Sequence, residues 1–447
     1  MRVMKWSAIA LAVSAAAASQ LAMAAPFVSD QSEAKGFVED SSLNLLLRNY
    51  YFNRGHNSGS DQRDWTQGLQ AVYNSGFTTG TVGVGVDAFF YGGVKLWGPD
   101  RYAGSGNLTL DDGDNNSEYG KAGAALKLRF SKTMLKIGDQ QPATSPVFAV
   151  GGSRLNPQTA SGITILSSEL PGLDLEGGHF YSATSQNTTA RDGELFANYA
   201  GVAAKSADYL GGRYSVNDQL TLGLYASKLE DIWDQYYANV NYVMPLGGDQ
   251  SLAFDFNYYN TQDEGSKNAG DINNNTFSLA ASYSFLTAHT VTLGFQKVNG
   301  NTPFDYIGVG GREGTSGEGA NKGGDSIFLS NSVQYSDFNG PGERSWKLQY
   351  ELNMASFGVP GLTFMARHIR GDNVQGTVNN PFYSYYSADG EAKHHETNVE
   401  AKYVVQSGPA KDLSFRIRQA WHSANQYQAD GDANEFRLIV DYPISIL

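Results

Sequence analysis

Two arginines near the C-terminus, Arg416 and Arg418, could bind anionic solutes if their side chains face water. They lie in residues 413–421, where Phe415 and Ile417 point to one side of an extended chain and the two arginines to the other. Guanidinium groups held in a low-dielectric wall attract anions and raise their local concentration. Alternation of this kind, in segments of about ten residues, is typical of a closed membrane sheet with lipid outside and water inside.

The same two-faced pattern returns in residues 42–54, 80–88, 125–130 and 436–442. Burying the charged face inside a β-sandwich would cost free energy because the charges would lose their hydration. A water-filled lumen keeps the same side chains hydrated. The basic residues that this parity assigns to the lumen are Arg48, Arg54, Lys127, Arg129, Lys136, Arg416, Arg418 and Arg437. The chain is acidic overall, with 45 acidic residues against 32 basic ones. We therefore predict a lumen that prefers carboxylate-bearing solutes; the alternative is that the arginines pair with loop acids and stiffen the barrel.

The first 24 residues are expected to be a secretory signal that is removed on export. Arg2 and Lys5 form a basic start, residues 8–18 are apolar, and residues 22–24 give an A-x-A cleavage site. The apolar run is too short for a transmembrane helix. Residues 25–447 are then expected to form one domain in the bacterial outer membrane, because composition is even and no linker appears.

Loop lengths separate a membrane barrel from a soluble all-β protein. Short connections are predicted at 75–79, 131–133, 169–172, 216–219, 245–250, 285–288, 357–361 and 407–411, and long ones at 93–120, 139–159, 182–205, 299–343 and 371–394. Short turns on one rim and long loops on the other are expected for an outer-membrane barrel, and a sandwich has no reason to sort them. Eight short turns imply eighteen antiparallel strands, a size that leaves an aqueous channel. The absence of cysteine fits a fold held by its hydrogen-bonded ladder.

Closure of such a barrel makes its first and last strands neighbours. Arg54, Arg416, Arg418 and Arg437 are therefore predicted to form one basic track down one wall. Aromatic pairs and triplets near strand ends, at 50–52, 89–91, 236–237 and 258–259, are predicted to form the interfacial girdles.

Two long loops are predicted to narrow the channel. Residues 139–159 carry Arg154, and residues 299–343 carry the apolar run 327–329, which would be awkward in open water. An inward fold that packs this run on the wall would offer Tyr335 and Asp337 to the lumen. An extracellular partner site is the alternative for the same run.

Several blocks, among them 325–343, 357–364, 394–402, 407–421 and 435–442, resemble the OprD family of outer-membrane channels. The resemblance implies an eighteen-stranded monomeric channel for small carboxylate-bearing molecules, including basic amino acids, small organic or aromatic acids and, in some members, carbapenem antibiotics. It also implies a basic ladder opposite an acidic pocket. By motif the ladder would be Arg54, Arg63, Arg154, Arg416, Arg418 and Arg437, and the pocket Ser332, Tyr335 and Asp337; Arg63 is assigned by resemblance alone.

Other classes of protein are weighed against this channel. Neither G-x-S-x-G nor H-E-x-x-H occurs, so an enzyme within the barrel is disfavoured. His394, His395 and Glu396 are adjacent and would alternate between faces, so we expect a solvated strand start and no metal. A non-selective porin and a structural barrel are the remaining alternatives. No cofactor and no nucleic-acid partner are expected; lipid and lipopolysaccharide are expected neighbours of a monomer, with a weak oligomer as the alternative.

Overall fold

The computed structural model describes residues 26–57, 59–315, 319–320, 323–376, 380–383, 386 and 390–447. In these ranges one antiparallel sheet contains eighteen strands. They are β1 Ser42–His56, β2 Gln62–Asn74, β3 Val82–Trp97, β4 Glu118–Phe130, β5 Thr133–Gln140, β6 Thr159–Leu170, β7 Leu173–Thr184, β8 Ala207–Ser215, β9 Leu220–Leu229, β10 Trp233–Gly247, β11 Gln250–Asp263, β12 Asn273–Phe285, β13 His289–Gly300, β14 Arg344–Asn353, β15 Leu362–Val374, β16 Ala392–Val404, β17 Ser414–Ala424 and β18 Ala433–Ser445. The predicted signal, residues 1–24, lies outside the described residues.

The sheet closes on itself because β1 pairs with both β2 and β18. Arg48, for example, is in register with Gly68 on one side and Asp441 on the other. Closure removes the free edges that an open sheet would expose. The predicted fold class and the count of eighteen strands are confirmed. Among the described residues, no helix has the length and apolar character needed to cross a membrane.

The connections sort by length as predicted. All eight predicted short turns lie at one rim, which we call the turn rim. The opposite rim, the loop rim, carries the long connections 98–117, 141–158, 185–206, 301–343 and 375–391. It also carries four shorter ones, 57–61, 230–232, 264–272 and 425–432, so the sorting is strict only at the turn rim.

The two faces of the wall differ in chemistry. Large apolar side chains such as Leu210, Leu224 and Leu293 are at least 60% exposed on the outer face. Their inward neighbours are small or polar, as with Gln296 and Ser278, which are in register across β12 and β13. Hydrocarbon is the natural solvent for the first set and water for the second.

In each predicted aromatic pair or triplet only one ring points outward, as an interfacial girdle requires. Tyr51 is in register with Trp65 on the outer face, but Tyr50 and Phe52 point inward and are fully buried. Tyr237 and Tyr259 are likewise inward and buried, in register across β10 and β11. Adjacent strand residues must point to opposite faces, so an aromatic pair always sends one ring into the lumen. There the rings support the loops that narrow it.

The long loops fold inward onto these rings. Tyr259 Oη accepts a hydrogen bond from the Phe328 amide at 2.9 Å, and the Phe328 ring meets Tyr237 edge-on with centroids 6.4 Å apart. Ile327 and Leu329 join the same apolar cluster, so the predicted inward fold of the loop is confirmed. A three-stranded sheet of Glu194–Ala197, Val202–Ala204 and Ile307–Gly311 ties this loop to the loop after β7.

The other constriction loop, 141–158, inserts Leu155 beside Tyr50 and Phe52. Gly68 and Gly93 face each other across β2 and β3 and form the socket. A Cβ atom on either glycine would lie 2.9 Å from a Leu155 methyl group, closer than such contacts allow. The paired glycines are therefore required by the close approach of this loop.

Candidate functional site

Five arginines occupy inward positions on three neighbouring strands, and together they form what we call the arginine track. Arg54 and Arg48 lie on β1, Arg437 on β18, and Arg416 and Arg418 on β17. Strand pairing places Arg437 beside Phe52 and Arg418, Arg416 beside Ile439, and Arg48 beside Asp441. The order from the loop rim towards the turn rim is therefore Arg54, Arg437, Arg418, Arg416 and Arg48.

The upper part of the track is built on one buried carboxylate. Glu435 is fully buried and accepts hydrogen bonds from Arg54 Nε at 2.6 Å and from Arg437 Nε at 2.5 Å. Gln334, from the constriction loop, donates Nε2 to the same carboxylate at 3.0 Å. Glu435 thus fixes two arginines and the loop tip at one point.

Lower down, Glu400 holds Arg416 by two hydrogen bonds of 2.8 Å, and Arg418 Nε lies 3.2 Å from the same carboxylate. Arg48 is paired with Asp441 at 2.8 Å. All three carboxylates come from wall strands, so the alternative that loop acids neutralise the arginines does not describe this wall.

A sixth guanidinium joins the track from the first constriction loop. The charged carbons of Arg54, Arg154 and Arg437 lie 5.2, 5.2 and 5.5 Å from the centroid of the Phe52 ring. A ring face attracts cations, which offsets part of the repulsion among the three. Burial lowers the pKa of Arg154 to about 10, so this group remains charged at neutral pH. Six guanidinium groups then face three carboxylates, a net charge of +3 (6 − 3).

Exposure ranks these groups as partners for a solute. The Arg416 side chain is 39% exposed, Arg418 and Arg54 are each 17% exposed, and Arg437 is 3% exposed. Arg418 Nε is buried without a hydrogen-bond partner. Arg416 is therefore the member most open to a new acceptor, Arg418 and Arg54 are equally and less exposed, and Arg437 is held within the wall.

The structure places the other predicted basic residues away from the track. Arg63 does not join it: this residue is in register with Asn53, on the outer face, and donates Nε to Asn53 Oδ1 at 2.7 Å. The assignment of Arg63 to the basic ladder, made by resemblance alone, is therefore wrong, because its side chain points away from the lumen. Lys127 and Lys136 face the lumen and share Asp87, each at 2.6 Å.

Arg129 also faces the lumen, close to the turn rim, where it binds the N-terminal segment. Its Nε donates to Gln31 Oε1 at 2.8 Å and its Nη1 to Ser29 Oγ at 2.7 Å. The backbone amide of Gln31 also donates a hydrogen bond of 2.8 Å to the carbonyl oxygen of Ser131, in the turn after β4. Arg129 therefore holds this segment against the turn rim.

The acidic pocket lies on the inner surface of the 301–343 loop. Asp337 accepts hydrogen bonds from Ser332 Oγ at 2.5 Å and from Tyr199 Oη at 2.7 Å. Desolvation raises the pKa of this carboxyl. Desolvation and, second, the charge of Asp337 raise the pKa of Asp325 to about 6. We call Asp325, Asp337, Ser332 and Tyr199 the acidic pocket.

Tyr335 was predicted in this pocket and is elsewhere. Its amide donates to Glu396 Oε1 at 3.1 Å, its hydroxyl donates to the Asp430 carbonyl at 2.8 Å, and Arg54 lies 5.1 Å from its ring centroid. The loop turns between Ser332 and Tyr335, so that Ser332 bonds Asp337 whereas Tyr335 bonds Glu396 on β16 and the loop before β18. Tyr335 fastens the loop tip to the track side of the barrel.

Residues missed from the sequence fall into two groups. Glu400 and Glu435 are inward wall residues, and the parity that selected the arginines would have found them. Tyr199 and Asp325 are loop residues whose positions depend on tertiary contacts, and no local pattern marks them.

Comparison with known proteins agrees with this geometry. A family model described as outer membrane porin, OprD family, matches residues 35–446. Porin D of Pseudomonas aeruginosa is 63% identical over 452 residues, covering 100% of both chains. The crystal structure of OprD from Pseudomonas aeruginosa covers 95% of this chain and 100% of its own, with a TM-score of 0.81 and 58% identity. The structure of Pseudomonas aeruginosa OpdK with vanillate has a TM-score of 0.79 and 33% identity, covering 92% and 100%.

Proposed function

Because the chain belongs to the OprD family of outer-membrane porins, we propose that it is a selective passive channel for small carboxylate-bearing solutes, and that basic amino acids fit it best. The observation that carries this proposal is that a cationic wall and the carboxylates of an inward-folded loop occur in one lumen. Arg416 is the most exposed cation of the track, with Arg418 on the same strand, and Asp337 and Asp325 are the carboxylates of the loop.

A basic amino acid presents both complements at once. Its carboxylate can accept paired hydrogen bonds from a guanidinium, the strongest such interaction available to a planar cation. Its side-chain cation is drawn to Asp337. A simple organic or aromatic acid uses the track alone, as does a carbapenem through its carboxylate, and we include both as weaker solutes. A relative of this chain was solved with vanillate, an aromatic carboxylate, which supports this wider class.

The test separates the two halves of the site. Asp337→Asn should lower uptake of arginine into liposomes about fivefold and leave benzoate unchanged, because one partly exposed charge contact contributes about 1 kcal/mol. Replacing Arg416 and Arg418 together by Gln should lower uptake of both solutes and shift the reversal potential in a KCl gradient towards less anion preference. Asp114→Asn, an exposed acid in the loop after β3, is the matched control. Equal loss of arginine and benzoate in Asp337→Asn would contradict the assigned pocket.

A non-selective porin is the second candidate, and saturation distinguishes it. A selective channel shows a current that is reduced by arginine in a concentration-dependent and saturable manner. A general pore shows a reduction proportional to solute size alone. The charged constriction favours the first outcome.

We also propose the cellular setting of the channel. Residues 1–24 are removed on export, and one chain works as a monomer because its own wall closes the pore. The outer face near the loop rim carries Arg344, Arg370 and Lys393, beside the exposed Trp346. Cations beside an aromatic belt suit the phosphates of lipopolysaccharide.

A further inference from the structure

Two histidines and an aspartate meet where the constriction loop touches the wall. His394 Nδ1 lies 2.8 Å from His422 Nε2 and 3.9 Å from Asp430 Oδ2. His394 and His422 are each only 3% exposed, and one ligand atom of each of the three residues lies within 4.8 Å of the others. Sequence analysis expected a solvated strand start at His394, and this expectation is wrong because the loop covers it.

The hydrogen bonds of the two imidazoles fix their protons. His394 Nε2 lies 2.6 Å from Glu343 Oε1, and His422 Nδ1 lies 2.6 Å from the Gly431 carbonyl oxygen. A carboxylate and a carbonyl only accept hydrogen bonds, so each of these ring nitrogens carries a hydrogen. In neutral rings the remaining nitrogens, His394 Nδ1 and His422 Nε2, both hold lone pairs. Two lone pairs cannot face each other at 2.8 Å, so a proton bridges the two nitrogens at this separation. A zinc-class ion bonded at about 2.0–2.1 Å to each nitrogen would replace that proton and would hold the nitrogens about 3.3 Å apart, which requires the two rings to separate by about half an ångström.

We propose that His394, His422 and Asp430 bind a divalent transition-metal ion of the zinc class. Two imidazole nitrogens and one carboxylate oxygen are a donor set that Zn²⁺ takes in proteins, with a fourth position open to water. Metal-binding histidines usually donate their other N–H to a carboxylate or a carbonyl, which orients the ring. Glu343 and Gly431 already occupy these supporting positions.

The site joins three parts of the channel. Glu343 ends the constriction loop, His394 and His422 belong to β16 and β17, and Asp430 belongs to the loop before β18. Ser336, on the loop tip, donates Oγ to Asp430 Oδ2 at 2.6 Å. A bound ion would therefore fix the loop tip to the wall, close to Tyr335 and the upper track. The inference does not depend on which solute passes.

The test uses the full mature protein in detergent, without a histidine tag and after treatment with a chelator. ZnCl₂ alone is titrated by calorimetry at pH 7.5. We expect one equivalent to bind, and His422→Gln to weaken the affinity at least about tenfold. Co²⁺ should give the visible absorption of a tetrahedral site in the wild type only. His395→Gln is the matched control, because His395 is the neighbour of His394 on the outer face.

Asp430→Asn is a second variant that leaves both imidazoles in place. It should also weaken Zn²⁺ binding. The variant should still migrate differently in a denaturing gel before and after heating, which is the mark of a folded barrel. Absence of Zn²⁺ binding in the wild type, or equal binding in wild type and His422→Gln, would overturn the proposal. The imidazole pair would then be bridged by a proton only.

Discussion

Replacing Glu435 by Gln should destabilise the barrel and increase its anion preference together. Arg54 and Arg437 donate to different oxygens of the carboxylate, Oε2 at 2.6 Å and Oε1 at 2.5 Å. The amide replaces one of these oxygens by an NH₂ group, which donates hydrogen bonds and accepts none. One guanidinium then faces a donor in a fully buried place. Removing one partner of a buried ion pair costs about 3–5 kcal/mol, because the remaining charge keeps its desolvation penalty.

The same substitution changes the charge of the track in a known direction. Six guanidinium groups against three carboxylates become six against two, so the net charge rises from +3 to +4. Gln334 also loses its charged acceptor, which should loosen the loop tip. The assays are the free energy of unfolding by denaturant in detergent and the reversal potential across a planar bilayer in a KCl gradient.

Glu400→Gln is the matched comparison, since it alters the charge by the same amount. Its partners Arg416 and Arg418 are 39% and 17% exposed and the Glu400 side chain is 16% exposed, so water replaces more of the lost interaction than it can at the fully buried Glu435. We expect a stability loss on the order of 1 kcal/mol, with a similar gain in anion preference. If both variants lost stability equally, or if Glu435→Gln became less anion-selective, the reasoning from burial and charge would be refuted.

Two further predictions concern the loops. Asp305 lies in the constriction loop just before the strand Ile307–Gly311 and accepts the Tyr199 and Ala200 amides at 2.9 and 3.1 Å. Burial raises the pKa of Asp305 to about 6, so the stability this carboxyl contributes is fully present below its ordinary value of 3.8 and is lost as pH rises through about 6. Amides of Ile307–Gly311 should therefore be better protected from hydrogen exchange at pH 5 than at pH 7.5, after correction for intrinsic rates, and Asp305→Asn should abolish the difference. Gly68→Val should expel Leu155 from its socket, which should cost about 1–3 kcal/mol of stability and raise the single-channel conductance. Gly223→Ala is the control and should change neither property, because a Cβ atom there meets nothing closer than 3.4 Å.

Side-chain parity carried most of what the sequence could predict. It selected the inward arginines of β1, β17 and β18, because a strand residue can only face one of two solvents. It also argues against Arg63, which shares the outward parity of Trp65, so the resemblance misled where the local pattern was right. The order of the arginines along the barrel axis could not be predicted, because it depends on the register between strands, and parity alone does not give that register.

The constriction loop was predictable in part. Its apolar run had to be covered, and it is, by Tyr237 and Tyr259. The separate contacts of neighbouring loop residues could not be predicted from the sequence. Tyr335 and Asp337 are two residues apart, yet Tyr335 bonds the loop before β18 and Asp337 bonds the loop after β7. Loop backbones follow the partners that they meet, and those partners here come from β11, β16 and the loop after β7.

Three carboxylates offset half of the positive charge of the arginine track, and solute transport gives a reason for this balance. A row of six uncompensated guanidinium groups would hold a carboxylate strongly, and a solute must leave as readily as it binds. Glu400 and Glu435 lower that affinity and offset the electrostatic repulsion between neighbouring guanidinium groups. The remaining excess of positive charge still draws anions in from both mouths. Carboxylates between the arginines therefore serve transport as well as stability, and a track without them should bind its solute more tightly and pass it more slowly.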